Sequence, residues 1–192
     1  KTVFLTSLIA NLLAAGRGAR TLPALSEAAG GRIRRVFIEP DDAPAYPEAV
    51  GAILDADLVV LGPGSLYTSV LPNLLVRDIA AALEATRAPV VYVANVATQP
   101  GETDGYDLDR HVDAITAHLG RPVIQLVLAN DNLSIPYPAA WGVGPVRPEL
   151  RAGGPTLVAA DVLSVARPTR HDPAKLAAAV VALIRDGGGR RD

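Results

Sequence analysis

The chain has 192 residues, 49% hydrophobic but only 4% aromatic, with 18 basic against 20 acidic side chains and a net charge of −2. No basic run interleaved with aromatics appears, so no nucleic-acid partner is expected. The complete lack of cysteine excludes disulfides, thiolate metal sites and a cysteine nucleophile. No uninterrupted apolar run reaches the roughly 18 residues of a membrane span, so no membrane insertion is expected either.

An aliphatic chain of this size can bury one sizeable α/β core. Methionine is absent, position 1 included, which is unusual in so aliphatic a sequence and points to a fragment or to native residues missing from it. Lys1–Leu13 is apolar after its first residue. Asn11 interrupts it and no convincing small-residue cleavage site follows, so it reads as a core helix of a cytoplasmic protein rather than as a leader. Phe4, Leu5, Leu8, Ile9, Leu12 and Leu13 have helical spacing and predict a buried helix over Phe4–Ala15. Ile33–Ile38 is β-branched and reads as a strand, ended by Pro40-Asp41-Asp42, and Tyr46–Ala56 reads as a helix.

Leu58–Leu61 is too short for a buried helix and forms a central strand that runs into Gly62-Pro63-Gly64-Ser65. A helical pattern begins near Asn73 and carries Leu74, Leu75, Ile79, Ala82 and Leu83. Val90–Asn95 is a second apolar strand, Asp107–Leu119 a helix with Leu108, Val112, Ile115 and Leu119 on one face, and Val123–Leu128 a third strand. An irregular segment rich in Pro and Gly follows. Thr156–Ala160 reads as a strand, Pro173–Ile184 as a closing helix and 187–192 as a frayed tail. Strands alternating with helices predict an α/β fold, a Rossmann-like, mostly parallel sheet with helices on both faces, and residues 1–186 as one domain.

Parallel strands place the polar loops at 62–69, 95–105 and 129–132 on one edge of that sheet, where ligands of open α/β sheets bind. Gly62 and Gly64 let the backbone approach a ligand closely, and Ser65, Thr68 and Ser69 supply hydroxyls and N–H groups, so phosphate is the natural ligand. The stretch equally reads as a tight turn. It fits neither the dinucleotide fingerprint nor the Walker loop, and Ser65 is not in a nucleophile elbow. In the second loop, Asn95, Thr98 and Gln99 can make directed hydrogen bonds to a sugar or base. Glu102 and Asp104 could accept hydroxyl donors, hold a hard cation or move protons. Alternatively Thr103-Asp104-Gly105 is a turn whose Thr103 or Asp104 caps the helix from Asp107. His111, between Asp109 and Asp113, reads as part of a solvated, salt-bridging face. Asp172-Pro173 reads as an N-cap with proline at the first helical position. Trp141 either covers a ligand or packs.

Gly62–Val76 (GPGSLYTSVLPNLLV) and Tyr92–Asp113 (YVANVATQPGETDGYDLDRHVD) together resemble the paired signatures of the bacterial gluconeogenesis-factor family (YvcK type) of the CofD-like superfamily, and Arg170-His171-Asp172-Pro173 resembles its closing R-H-D-P. The resemblance runs from about Gly31 to Ile184. Upstream, Thr21-Leu22-Pro23-Ala24 is similar to a short family element, but the N-terminal Gly-rich nucleotide loop is absent, so the domain lacks part of that region. The resemblance implies a Rossmann-like CofD fold, a cytoplasmic location and a small-molecule nucleotide ligand, typically a UDP-sugar such as UDP-N-acetylglucosamine. It implies roles in gluconeogenic carbon use, cell-wall precursor supply and cell shape, with no assigned reaction and no certain cofactor; a homo-oligomer is compatible with it. The candidate ligand-binding set is Gly62, Pro63, Gly64, Ser65, Leu66, Thr68, Ser69, Asn95, Thr98, Gln99, Glu102, Thr103 and Asp104. The alternative is a magnesium-dependent phospholactyl transferase of the CofD type, with Glu102 or Asp104 holding the metal.

Overall fold

A computed structural model describes residues 1–5, 20–25 and 33–187. Leu58–Leu61 (β4) and Val90–Val93 (β5) are buried at every position. Their side chains alternate between two cores, as the period of two requires. Val59, Leu61, Val90 and Tyr92 face one core, and Leu58, Val60, Val91 and Val93 face the other. Strands covered on both faces favour parallel pairing with helical crossovers. The sheet is five-stranded and parallel throughout, in the order β1 (Thr2–Leu5), β4, β5, β6 (Leu126–Asn130) and β7 (Thr156–Ala160).

On the first face lie α1 (Pro47–Leu54), a π-helical turn (Leu66–Val70), α2 (Leu71–Leu74), α3 (Arg77–Ala85) and α4 (Leu108–Leu119). They contribute Ile53, Leu66, Leu71, Ile79, Leu108 and Ile115, all fully buried. On the second lies α5 (Pro173–Gly187), with Val180 buried and Leu176, Leu183 and Ile184 packed beside it. Asp172 caps α5 as the sequence leads one to expect, its Oδ1 accepting from the amides of Ala174 at 2.9 Å and Lys175 at 3.0 Å. The α/β class and the mostly parallel sheet are therefore those read from the sequence.

Other expectations fare differently. The predicted helix Phe4–Ala15 begins instead as strand β1, with Phe4 beside Val60 and Leu5 beside Leu61; the rest of that helix lies outside the described residues. The pairing partner is more than fifty positions away, which helical spacing cannot register. The strand expected at Ile33–Ile38 is present as Ile33–Glu39 (β3), paired antiparallel with Arg20–Leu25 (β2) in a separate hairpin. The third strand starts three residues later than expected and includes the polar Asn130. Asn130 is tolerated because Nδ2 donates to Asn132 O at 2.8 Å and Oδ1 accepts the Val162 amide at 3.2 Å. The frayed tail falls outside the described residues except for Gly187, which ends α5.

His111 departs from its expected place. It is 0% exposed, not solvated, because a helix starting at Leu108 puts positions 108, 111, 112 and 115 on its inner face. Its Nδ1 lies 2.7 Å from Asp107 O, while Nε2 is buried with no partner. Burial pushes its pKa below the ordinary 6.5 despite the Asp107 contacts, and burial acts the same way on His171. The unfolded chain therefore takes up protons at a higher pH than the folded one. Stability is fully present above the unfolded value and is lost as pH falls below it. Urea unfolding from pH 7.5 to 5 should show that decline, and His111→Gln should make it shallower; an unchanged slope would assign the acid sensitivity elsewhere.

Candidate ligand site at the carboxyl edge of the sheet

The chain leaves β4 through Gly62, whose φ of +93° is closed to most side chains. A Cβ there would also stand 3.1 Å from Val93 O, so the first loop lies directly on the end of β5. Gly64 is tight for another reason, since its Cβ would come within 2.9 Å of Ser69 Cβ. The Ser65 carbonyl accepts the amides of Ser69 at 2.9 Å and Val70 at 3.0 Å, and so starts the helical run at Leu66, well before Asn73. Leu66 is fully buried and anchors that turn.

The two loops are joined by side chains. Asn95 Nδ2 donates to Gln99 Oε1 at 2.8 Å, and Gln99 Nε2 donates to Ser65 Oγ at 2.7 Å. Thr98 pins the irregular segment above them, its Oγ1 accepting the Gly144 amide at 3.0 Å and its own amide donating to Gly144 O at 2.9 Å. Thr103 is buried, and its Oγ1 accepts the Gln99 amide at 2.8 Å. Asp104 Oδ2 accepts the Gly101 amide at 2.8 Å. Residues 99–104 are thus a side-chain-braced turn, and the α4 cap is Asp107, which accepts the Arg110 amide at 2.8 Å.

An open cavity of about 670 Å³ lies at this edge, and Pro63, Gly64, Ser65, Asn95, Thr98, Gln99 and Glu102 all line it. Gly62, Leu66, Thr68, Ser69, Thr103 and Asp104 do not; they build the loops behind it. Sequence reasoning missed the opposite wall. Arg170 and His171 close the cavity just before α5, and the R-H-D-P resemblance was the only signal for them. The His171 Nε2–H donates to Ala94 O at 3.1 Å, tying that wall to the end of β5. Arg170 continues into an adjoining cavity with Arg167 and the half-exposed Trp141.

Glu102 is half-buried and also lines a second cavity of about 870 Å³ between β3 and α4. Its Oε1 accepts from Thr68 Oγ1 at 3.4 Å and the Tyr67 amide also serves the carboxylate, while Oε2 is buried without a partner. Burial raises its pKa, and the two donors only partly oppose that. Among the described residues no three acidic or histidine side chains converge as a metal site.

The family model described as 2-phospho-L-lactate transferase CofD matches residues 4–142. The sheet, the loop pair and this match decide the family. The chain belongs to the gluconeogenesis-factor branch of the CofD-like superfamily. A putative gluconeogenesis factor of Deinococcus radiodurans is 43% identical over 83% of this chain and 35% of its own length. The gluconeogenesis factor of Bacillus subtilis is 37% identical over 82% and 52%. A crystal structure of a UPF0052-family protein from Bacillus halodurans matches with a TM-score of 0.76 and 33% identity, over 88% of this chain and 60% of that one. The chain thus spans a third to about half the length of these two curated relatives.

Both Gly62 and Gly105 have positive φ, but a Cβ at Gly105 meets nothing within 4 Å. Gly105→Ala should cost about 1 kcal/mol of stability from its left-handed backbone alone, and Gly62→Ala about 2 kcal/mol or more because the Val93 carbonyl is added. Equal losses in urea titration would show that the approach to β5 is not limiting.

Proposed function

We propose that this edge binds a nucleotide-linked sugar, and that the protein is a UDP-sugar-binding regulator acting in gluconeogenic carbon use, cell-wall precursor supply and cell shape. The observation that carries the proposal is the Asn95–Gln99–Ser65 hydrogen-bond chain above an open cavity. It is neutral and directional, which suits a polyhydroxylated group, whereas the cavity's charge is carried by Glu102 and Arg170. The Gly64 and Ser65 amides with the Arg170 guanidinium would take the diphosphate. Trp141, beside Arg167 and Arg170, offers a flat face for a base. The relatives' designation as gluconeogenesis factors supports the gluconeogenic part of this setting. Of Glu102 and Asp104, only Glu102 lines the cavity, where it would meet a magnesium ion that accompanied the diphosphate.

Gln99→Ala removes both links of the chain without touching a buried apolar contact. Titration calorimetry with UDP-N-acetylglucosamine should show about a tenfold loss of affinity, on the order of 1.4 kcal/mol, with the thermal transition still cooperative. For the unaltered protein, ligand at 100 times its dissociation constant should add about 2.7 kcal/mol of stability. No stabilisation by any UDP-sugar would refute the proposal. Turnover of a phospholactyl donor that requires magnesium would replace it with the transferase.

A further inference from the structure

The glycine loop lies beside an anion that belongs to the protein itself. In the turn that follows Gly64-Ser65, the Tyr67 amide and the Thr68 hydroxyl are already engaged by Glu102, whose Oε2 has no donor of its own. The sheet-edge cavity brings one opposite charge, Arg170, against it. The second cavity, on the far side of Glu102, is lined by Arg34, Arg35 and Arg110 as well as by Glu102, Asp104 and Asp113, and Asp113 pairs with Arg151. Within the sheet-edge cavity an added negative charge at the glycine loop therefore meets Glu102, with Arg170 as the one opposite charge among its lining residues.

Resting on the nucleotide-sugar reading, we propose that Glu102 is a specificity-determining residue that admits a nucleotide sugar and rejects the free nucleoside diphosphate. Each phosphate of a nucleotide sugar carries one negative charge, because the terminal one is esterified. The terminal phosphate of a free nucleoside diphosphate ionises a second time near pH 6, and at neutral pH it brings one charge more to the same loop. The carboxylate penalises that charge and leaves the ester acceptable. The selection rests on charge, not on contacts to the sugar.

The test measures dissociation constants for UDP-N-acetylglucosamine, UDP and the β-phosphate methyl ester of UDP at pH 8 by calorimetry. The unaltered protein should prefer the nucleotide sugar over UDP by tenfold or more, with the sugarless methyl ester within about threefold of the nucleotide sugar. Glu102→Gln should reduce the preference about tenfold, chiefly by tightening UDP. A methyl ester that binds as weakly as UDP overturns the proposal without any substitution, and so does an unchanged preference in a folded Glu102→Gln protein. Failure of the unaltered protein to bind any of the three ligands would instead refute the underlying nucleotide reading.

Discussion

Leu58–Leu61 and Val90–Val93 are buried on both faces, and the one polar side-chain group they carry, the Tyr92 hydroxyl, is sealed in the core without a partner. Chemistry can enter only where the strands end. Because all five strands run parallel, Leu5, Leu61, Val93 and Asn130 finish at the same edge. The contact between Gly62 and the Val93 carbonyl then fixes how the first two loops stand against each other. With that spacing set, the Gln99 amide reaches both Asn95 and Ser65, and the loops act as one polar surface. A larger residue at 62 would lift the first loop from β5 and separate them.

The loops draw their rigidity from the side chains that look most like ligands in the sequence. Thr98, Thr103 and Asp104 each spend a hydrogen-bonding atom on a neighbouring backbone amide. Such bonds hold a turn that would otherwise sample many conformations, and the cavity inherits that order. Asn95, Gln99 and Ser65 remain at its surface. The division between support and surface is set by a difference of only a few positions along one loop.

The apolar strands β4 and β5 were legible because a run buried on both sides needs no partner information to be recognised. So was the α5 cap, since Asp172 and Pro173 act within one turn. What escaped the sequence was decided over long distances. β1 has helical spacing, yet it pairs with a strand near residue 60. His111 sits between two acidic residues, and its burial follows from which face of α4 meets Tyr92 and Tyr106, whose rings lie 6.4 and 5.5 Å from its own. Arg170 and His171 reach the site from a loop more than seventy residues beyond Asn95. No local pattern announces such a wall, and only the likeness of R-H-D-P to a family motif hinted at it.

Charge and neutral polarity are carried by different side chains within the cavity. The Asn95–Gln99–Ser65 chain can reverse donors and acceptors by rotating hydroxyl and amide groups, so it accommodates hydroxyl patterns at little cost. Glu102 and Arg170 cannot adapt in that way, because a fixed charge repels or attracts whatever arrives. A site built like this tolerates variation in the uncharged part of its ligand and is strict about the charged part. Under the nucleotide-sugar proposal, the number of ionised phosphate oxygens would be the feature such a site measures most sharply, and the identity of the sugar a matter for weaker, adjustable bonds.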